Sequence, residues 1–146
     1  MTQVDFYVLS PAAETGREQF TCRLVEKLYR LEHRVYIHTT DTQQAHSMDE
    51  LLWTFRAGSF LPHEQLVANE TAPDCPVFIG CAAGGAPAAD VLLNLASTVP
   101  LFFSSYERVA EIIGPQEEQR NSGRERYRFY QDRGYALNTH KIPANR

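Results

Sequence analysis

Val4-Asp-Phe-Tyr-Val-Leu-Ser-Pro11, the run from Thr15 to Leu31 and Val35-Tyr-Ile-His-Thr39 together decide the fold. The first is a short apolar run closed by Ser10-Pro11 and reads as a strand. In the second, Phe20, Leu24, Leu28 and Leu31 recur at helical spacing, which predicts a helix from about Thr15 to Leu31. The third reads as another buried strand.

The same alternation continues along the chain. A helix is expected from Thr42 to Phe55 with Asp41 as its N-cap, and residues 64–76 read as a loop. Pro76-Val-Phe-Ile79 reads as a short strand, placed at an edge because proline begins it. Val91-Leu-Leu-Asn-Leu95 is expected to be a central strand, Phe102 to Tyr106 a short helical turn, and Arg108 to Ile113 a further strand. A last helix is expected from Pro115 to Arg133, with Gly114 at its cap and Gly134 just past its end. Glu117 and Glu118 complement the dipole of its first turn. Strands alternating with helices imply a three-layer α/β/α domain with a mostly parallel sheet. Residues 1–142 are expected to form that single domain and 143–146 a C-terminal tail.

A chain of 146 residues is long enough to bury a sizeable core as one domain. Hydrophobic residues at 43% and charged residues at 22% are ordinary for a soluble protein. No apolar run is long enough to cross a bilayer and no signal-peptide pattern opens the chain, so a cytoplasmic protein with no membrane partner is expected. Cys22, Cys75 and Cys81, an odd count, argue against a disulfide framework.

Charge is unevenly distributed. From Arg120 to Lys141 there are 6 basic and 2 acidic residues, whereas residues 1–119 carry 7 basic and 16 acidic ones. A basic, aromatic cluster in an acidic protein reads as a docking surface for something anionic with an apolar part. Nucleic acid, a nucleotide and an acidic peptide tail all fit that description.

The chemistry of nucleotide binding is poorly represented. The first strand-to-helix loop, Ser10-Pro-Ala-Ala-Glu-Thr-Gly16, has neither G-x-G-x-x-G nor G-x-x-x-x-G-K-[ST] and puts a carboxylate where a phosphate would lie. The glycine-rich stretch Gly80-Cys-Ala-Ala-Gly-Gly-Ala-Pro87 lacks a following lysine with serine or threonine and reads as a flexible connection, so no phosphate-binding loop and no cofactor are expected. No C-x-x-C is present, and His33 and His38 flank a strand instead of sharing a helix face, so no metal site is expected. G-x-S-x-G is missing as well. A cysteine–histidine pair drawn from Cys22 or Cys75 is unmarked by any motif.

Two groups of residues stand out as docking candidates. In the helix from Thr42, Ala45, Met48, Leu51, Leu52 and Phe55 form one apolar stripe, and Trp53 lies about 140° from its centre at 100° per residue. Trp53 is either covered by the loop that follows or exposed beside Phe60 as an anchor for a protein partner. In the last helix, Arg120, Arg124, Tyr127 and Arg128 fall at i, i+4, i+7 and i+8 on one face. Phe129 and Tyr130, on an adjacent stripe with Arg126 and Arg133, are better placed for burial. The guanidinium groups of this face can then bind a carboxylate bidentately while Tyr127 flanks an apolar pocket, with Ile113 as its floor. The plain alternative is a solvated face partly neutralised by Glu125 and Asp132.

At these residues the chain resembles the chi subunit of bacterial DNA polymerase III. The shared elements are Val4-Asp-Phe-Tyr-Val-Leu9, Asp49-Glu-Leu-Leu-Trp-Thr-Phe55 with Ser59-Phe-Leu-Pro-His63, and Val91-Leu-Leu-Asn-Leu95. Arg124-Glu-Arg-Tyr-Arg-Phe-Tyr130, continued through Gly134-Tyr-Ala-Leu-Asn-Thr-His140, completes the set. The resemblance implies a Rossmann-like fold without a phosphate loop and a non-catalytic clamp-loader accessory protein. It implies binding of the acidic, phenylalanine-ended tail of single-stranded DNA-binding protein at Arg124 and Tyr127, with Arg120 and Ile113 beside them. It also implies binding of the psi subunit, or of another clamp-loader component, at Trp53 and Phe60, with DNA contacted indirectly. Direct binding of single-stranded nucleic acid by the Arg/Tyr helix is the alternative.

Overall fold

The computed structural model describes residues 2–11, 16–58, 60–66, 74–81 and 88–143. Seven strands form one sheet: β1 (Gln3–Leu9), β2 (Val35–His38), β3 (Glu64–Gln65), β4 (Val77–Gly80), β5 (Val91–Asn94), β6 (Arg108–Ile113) and β7 (Ala136–Ile142). Their spatial order is β3-β4-β2-β5-β6-β1-β7, and every pairing is parallel. Helices α1 (Arg17–Arg30), α2 (Thr42–Thr54) and α3 (Glu117–Asp132), with a 3-10 turn at Phe103–Ser105, cover the two faces. The architecture is the Rossmann-like α/β/α sandwich anticipated above.

Register sorts the side chains into the two cores, because alternate residues of a strand face opposite ways. Ile79, Ile37, Leu93 and Ala110 lie abreast on one face, where they meet Val25 and Leu28 of α1 and Met48 and Leu52 of α2. Phe78, Tyr36, Leu92, Val109 and Val4 lie abreast on the other, with Phe103 and with Tyr130 of α3. Strands buried on both faces read as continuous apolar runs, and here they fill both layers.

Several local expectations hold. Asp41 caps α2, its side chain accepting from the Gln44 N–H at 2.8 Å. β5 lies fourth of the seven strands, at the centre. Gly134 takes φ +79° just past α3, the left-handed backbone that glycine adopts without a Cβ penalty.

Others are corrected. β4 is not an edge strand: β3 pairs on its outer side, inside the segment read as a loop. Pro76 stands before the strand, and its carbonyl accepts from the Val35 N–H at 2.8 Å. Its missing N–H therefore removes no ladder bond. α3 begins at Glu117 with extended Gln116 as its N-cap, not at Pro115 with Gly114 as the cap. Gln116 is extended, at φ −72° and ψ 149°, so the helix winds only from the residue after it. The third departure is β7, a seven-residue strand that no apolar run announced. It is held by pairing with the whole of β1, by the His140 ring stacked on Tyr7 at 4.8 Å, and by the His140–Asp5 contact of 3.2 Å. Most of the first strand-to-helix loop (12–15), most of the glycine-rich stretch (82–87) and the terminal 144–146 lie outside the described residues.

Candidate functional site

Helix α3 carries the basic aromatic cluster, and its inner face determines where that cluster points. Gly123 rests on β6: a Cβ there would come within 2.5 Å of Ile113 Cδ1, so a side chain would force either Ile113 or the helix to shift. Three residues on, Arg126 is buried and its Nε donates to Glu111 Oε1 at 2.8 Å. Glu111 is wholly buried and accepts twice more, from the Tyr130 hydroxyl at 2.7 Å and from Asn94 Nδ2 at 3.0 Å. Arg126 also reaches the Ser122 hydroxyl and, at 3.3 Å, the Ser97 carbonyl. Burial, then the Glu111 charge and hydrogen bond, push the Tyr130 phenol far above its ordinary value, so it stays a neutral donor. The network ties α3 to β5 and β6 across a polar row in an otherwise apolar layer.

That network takes one arginine out of the docking cluster. The sequence put Arg126 on the stripe of Phe129 and Tyr130, but its partner lies on β6, at Glu111. The buried acid inside Arg108-Val-Ala-Glu-Ile-Ile113 was the available signal, since a carboxylate in an apolar strand requires a cation.

The outer face keeps its charge. Arg124 is exposed and its Nη1 donates to Asn121 Oδ1 at 2.9 Å. Arg128 is exposed, Arg120 is half-buried, and the buried Nε of Arg120 has no hydrogen-bond partner. Among the described residues no carboxylate comes within ion-pair distance of Arg120, Arg124 or Arg128. Tyr127 stands half-buried among them, edge-on to Phe6 with ring centroids 5.1 Å apart. The structure therefore brings Arg120, Arg124 and Tyr127 onto one face. Ile113 belongs to the same apolar cluster as Tyr127 but lies under Gly123 with only 5% of its surface exposed. Arg133 sits apart at the helix end, its guanidinium 3.5 Å over the Phe129 ring.

The second candidate patch lies on the opposite layer. Trp53 is 57% exposed and Phe60 is 89% exposed, so the connection after α2 does not cover the tryptophan. Instead Trp53 stands against the buried His63 ring, with centroids 4.3 Å apart. The ring nitrogens of His63 lie 2.7 Å from the Leu61 carbonyl and 3.0 Å from the Asp49 carbonyl, pinning the connection back onto α2. Phe60 and Leu61 border a shallow hollow with Tyr29, Arg30 and Arg56, where Arg56 also pairs with Glu26. An exposed aromatic fixed by a buried neighbour is a ready anchor for a protein surface.

The thiols and imidazoles do not converge. Cys22 is buried in the α1/α2 core, and burial, with Glu18 second, pushes its thiol up to about 12. The histidines have other partners: Asp90 for His33, the Tyr36 hydroxyl for His38, Glu50 for His46, carbonyls for His63 and Asp5 for His140.

The family model of the DNA polymerase III chi subunit matches residues 1–138. A DNA polymerase III subunit chi from Pseudomonas aeruginosa is 38% identical over 143 residues, covering 98% of this chain and 99% of that one. The subunit chi of Escherichia coli is 30% identical over 123 residues, 84% of this chain and 83% of its own. That of Haemophilus influenzae is 26% identical over 138 residues, 94% and 95% of the two chains. Such matches extend from β1 into β7 and take in both candidate patches, and the chain belongs to the DNA polymerase III chi-subunit family.

Proposed function

We propose that this protein is a non-catalytic accessory subunit of the polymerase holoenzyme, acting in the cytoplasm in DNA replication. It links the clamp loader to single-stranded DNA-binding protein by holding that protein's acidic C-terminal tail. The observation that carries this reading is the outer face of α3. There Arg120, Arg124 and Arg128 have no carboxylate partner among the described residues, and Tyr127 rises between them from an apolar base. A terminal carboxylate fits the Arg124 guanidinium, and the apolar end of the tail fits against Tyr127. One charge-assisted pairing of this kind contributes about 1.5–3 kcal/mol.

The test is fluorescence anisotropy with a tail peptide. Arg124→Ala is expected to weaken binding at least about tenfold, in line with the loss of one such pairing. Wild-type affinity in that variant would sink the reading. A salt titration with an oligonucleotide, run beside one with the peptide, separates tail binding from direct nucleic-acid binding. The latter falls steeply with salt because phosphate contacts release counterions.

Trp53 and Phe60 serve the second partner, the psi subunit or another clamp-loader component. They are exposed, aromatic and on the layer opposite the tail site, so both partners can be held at once. Trp53→Ala is expected to abolish recovery of that partner in a pull-down while tail binding stays unchanged. Simultaneous loss of both would contradict two separate surfaces.

A further inference from the structure

β7 ends the sheet, and among the described residues no strand lies beyond it. Its polarity along the backbone follows from one bond: the Ile142 carbonyl accepts from the Ser10 N–H at 2.9 Å, on the β1 side. Within a strand the N–H and C=O of one residue point the same way, and the direction alternates from residue to residue. Asn138 and His140 therefore face β1 with Ile142. Leu137, Thr139 and Lys141 turn their N–H and C=O groups to the open side. That is a row of free donors and acceptors of the kind an added strand uses.

The side chains of those three residues all lie on the α3 side of the sheet. Leu137, Thr139 and Lys141 stand in register with Val4, Phe6 and Val8, and Leu137 shares an apolar cluster with Tyr127. Because Tyr127 stands on Phe6, one strand in from Thr139, the basic face of α3 borders the open edge. Arg124 and Arg128 on that helix face, and Lys141 on the edge, have no carboxylate in ion-pair range among the described residues. The edge itself is polar, reading Asn-Thr-His-Lys from 138 to 141 with all four exposed. Such an edge discourages apolar strands and suits an extended acidic chain.

We propose that the acidic tail docks as an eighth strand on the open edge of β7, parallel to it, with its terminal carboxylate at Arg124. The proposal rests on the tail-binding reading above and adds how the tail is held. The direction follows from the helix. Gly123 lies over Ile113 at the carboxyl end of β6, so Arg124 stands near the carboxyl end of the sheet and Arg128 one turn toward the amino end. A chain whose last residue is at Arg124 sends its preceding acidic residues past Arg128, running the same way as β7. Backbone bonds hold the tail, and the terminal group sets its register.

A synthetic acidic peptide ending in phenylalanine, methylated at one backbone nitrogen at a time, tests this with the wild-type protein. An added strand turns alternate N–H groups toward β7. Methylation at one set of alternating positions is therefore expected to weaken binding at least about fivefold, and at the other set hardly at all. Hydrogen exchange at the Leu137, Thr139 and Lys141 amides is expected to slow when the unmodified peptide is added. Equal tolerance at every position, with exchange unchanged at those amides, overturns strand addition while leaving the Arg124-dependent tail reading standing. Arg124-independent binding would sink both. Protection at the three amides that grows with protein concentration and needs no peptide would assign the edge to a second copy of this chain and overturn the proposal.

Discussion

Arg124 and Arg126 stand two residues apart on one helix and do opposite things. Arg126 faces inward to the Glu111 carboxylate, is almost fully buried and stitches α3 to the sheet. Arg124 faces outward and is exposed, and among the described residues its side chain bonds Asn121 of its own helix. The inner face of α3, with Gly123, Arg126 and Tyr130, belongs to the fold. The outer face, with Arg120, Arg124, Tyr127 and Arg128, is the one proposed for recognition. Guanidinium chemistry is the same on both; what differs is whether a neighbour already satisfies it.

The comparison can be broken most sharply at Glu111. Glu111→Ala leaves Arg126 charged, buried and unpaired, and is expected to destabilise the fold by about 3–5 kcal/mol. Urea unfolding would register this, and near-wild-type stability would show that Arg126 has another partner. Gly123→Val comes next, at about 1–3 kcal/mol, because its Cβ alone already meets Ile113 within 2.5 Å. Its expected signature is lost stability, joined by weakened tail binding where the helix, and not only Ile113, shifts.

Tyr130→Phe removes one of three bonds to Glu111 and is expected to cost about 1–2 kcal/mol at neutral pH. It also carries a pH signature. The folded-state pKa of Tyr130 is raised above the ordinary value of 10.0, so stability is fully present below that value. As pH rises through it, the unfolded chain sheds the proton while the folded chain keeps it, and stability falls. The variant should lose less stability than the wild type between about pH 9 and 11 when unfolding is followed across that window. Arg124→Ala is the smallest in this series. It should move stability by no more than about 0.5 kcal/mol while tail affinity drops, the inverse of Glu111→Ala.

Much of this division was legible in the residues. The spacing of Arg120, Arg124 and Tyr127 predicted a shared face, and the structure has one. Trp53 off the apolar stripe of α2 left two readings open, and its 57% exposure decides for the uncovered one. Arg126 was legible only in part, because helical spacing ranks residues around an axis without saying what lies opposite. β7 was harder still. Its residues alternate between two half-open faces at the margin of the sheet, so no hydrophobic period marks it. β4 misled through Pro76, which stands outside the ladder it was expected to interrupt.

By itself the sequence determined the alternating plan of strands and helices and the family to which the chain belongs. Period and composition are local quantities, readable along one stretch at a time. Only the tertiary structure decided that Arg126 belongs to Glu111, that Ile113 lies beneath Gly123 and that β7 lies outermost against β1. Those facts depend on strand order and register, which bring together residues far apart in the chain and determine which charges are neutralised inside and which are left to face a partner.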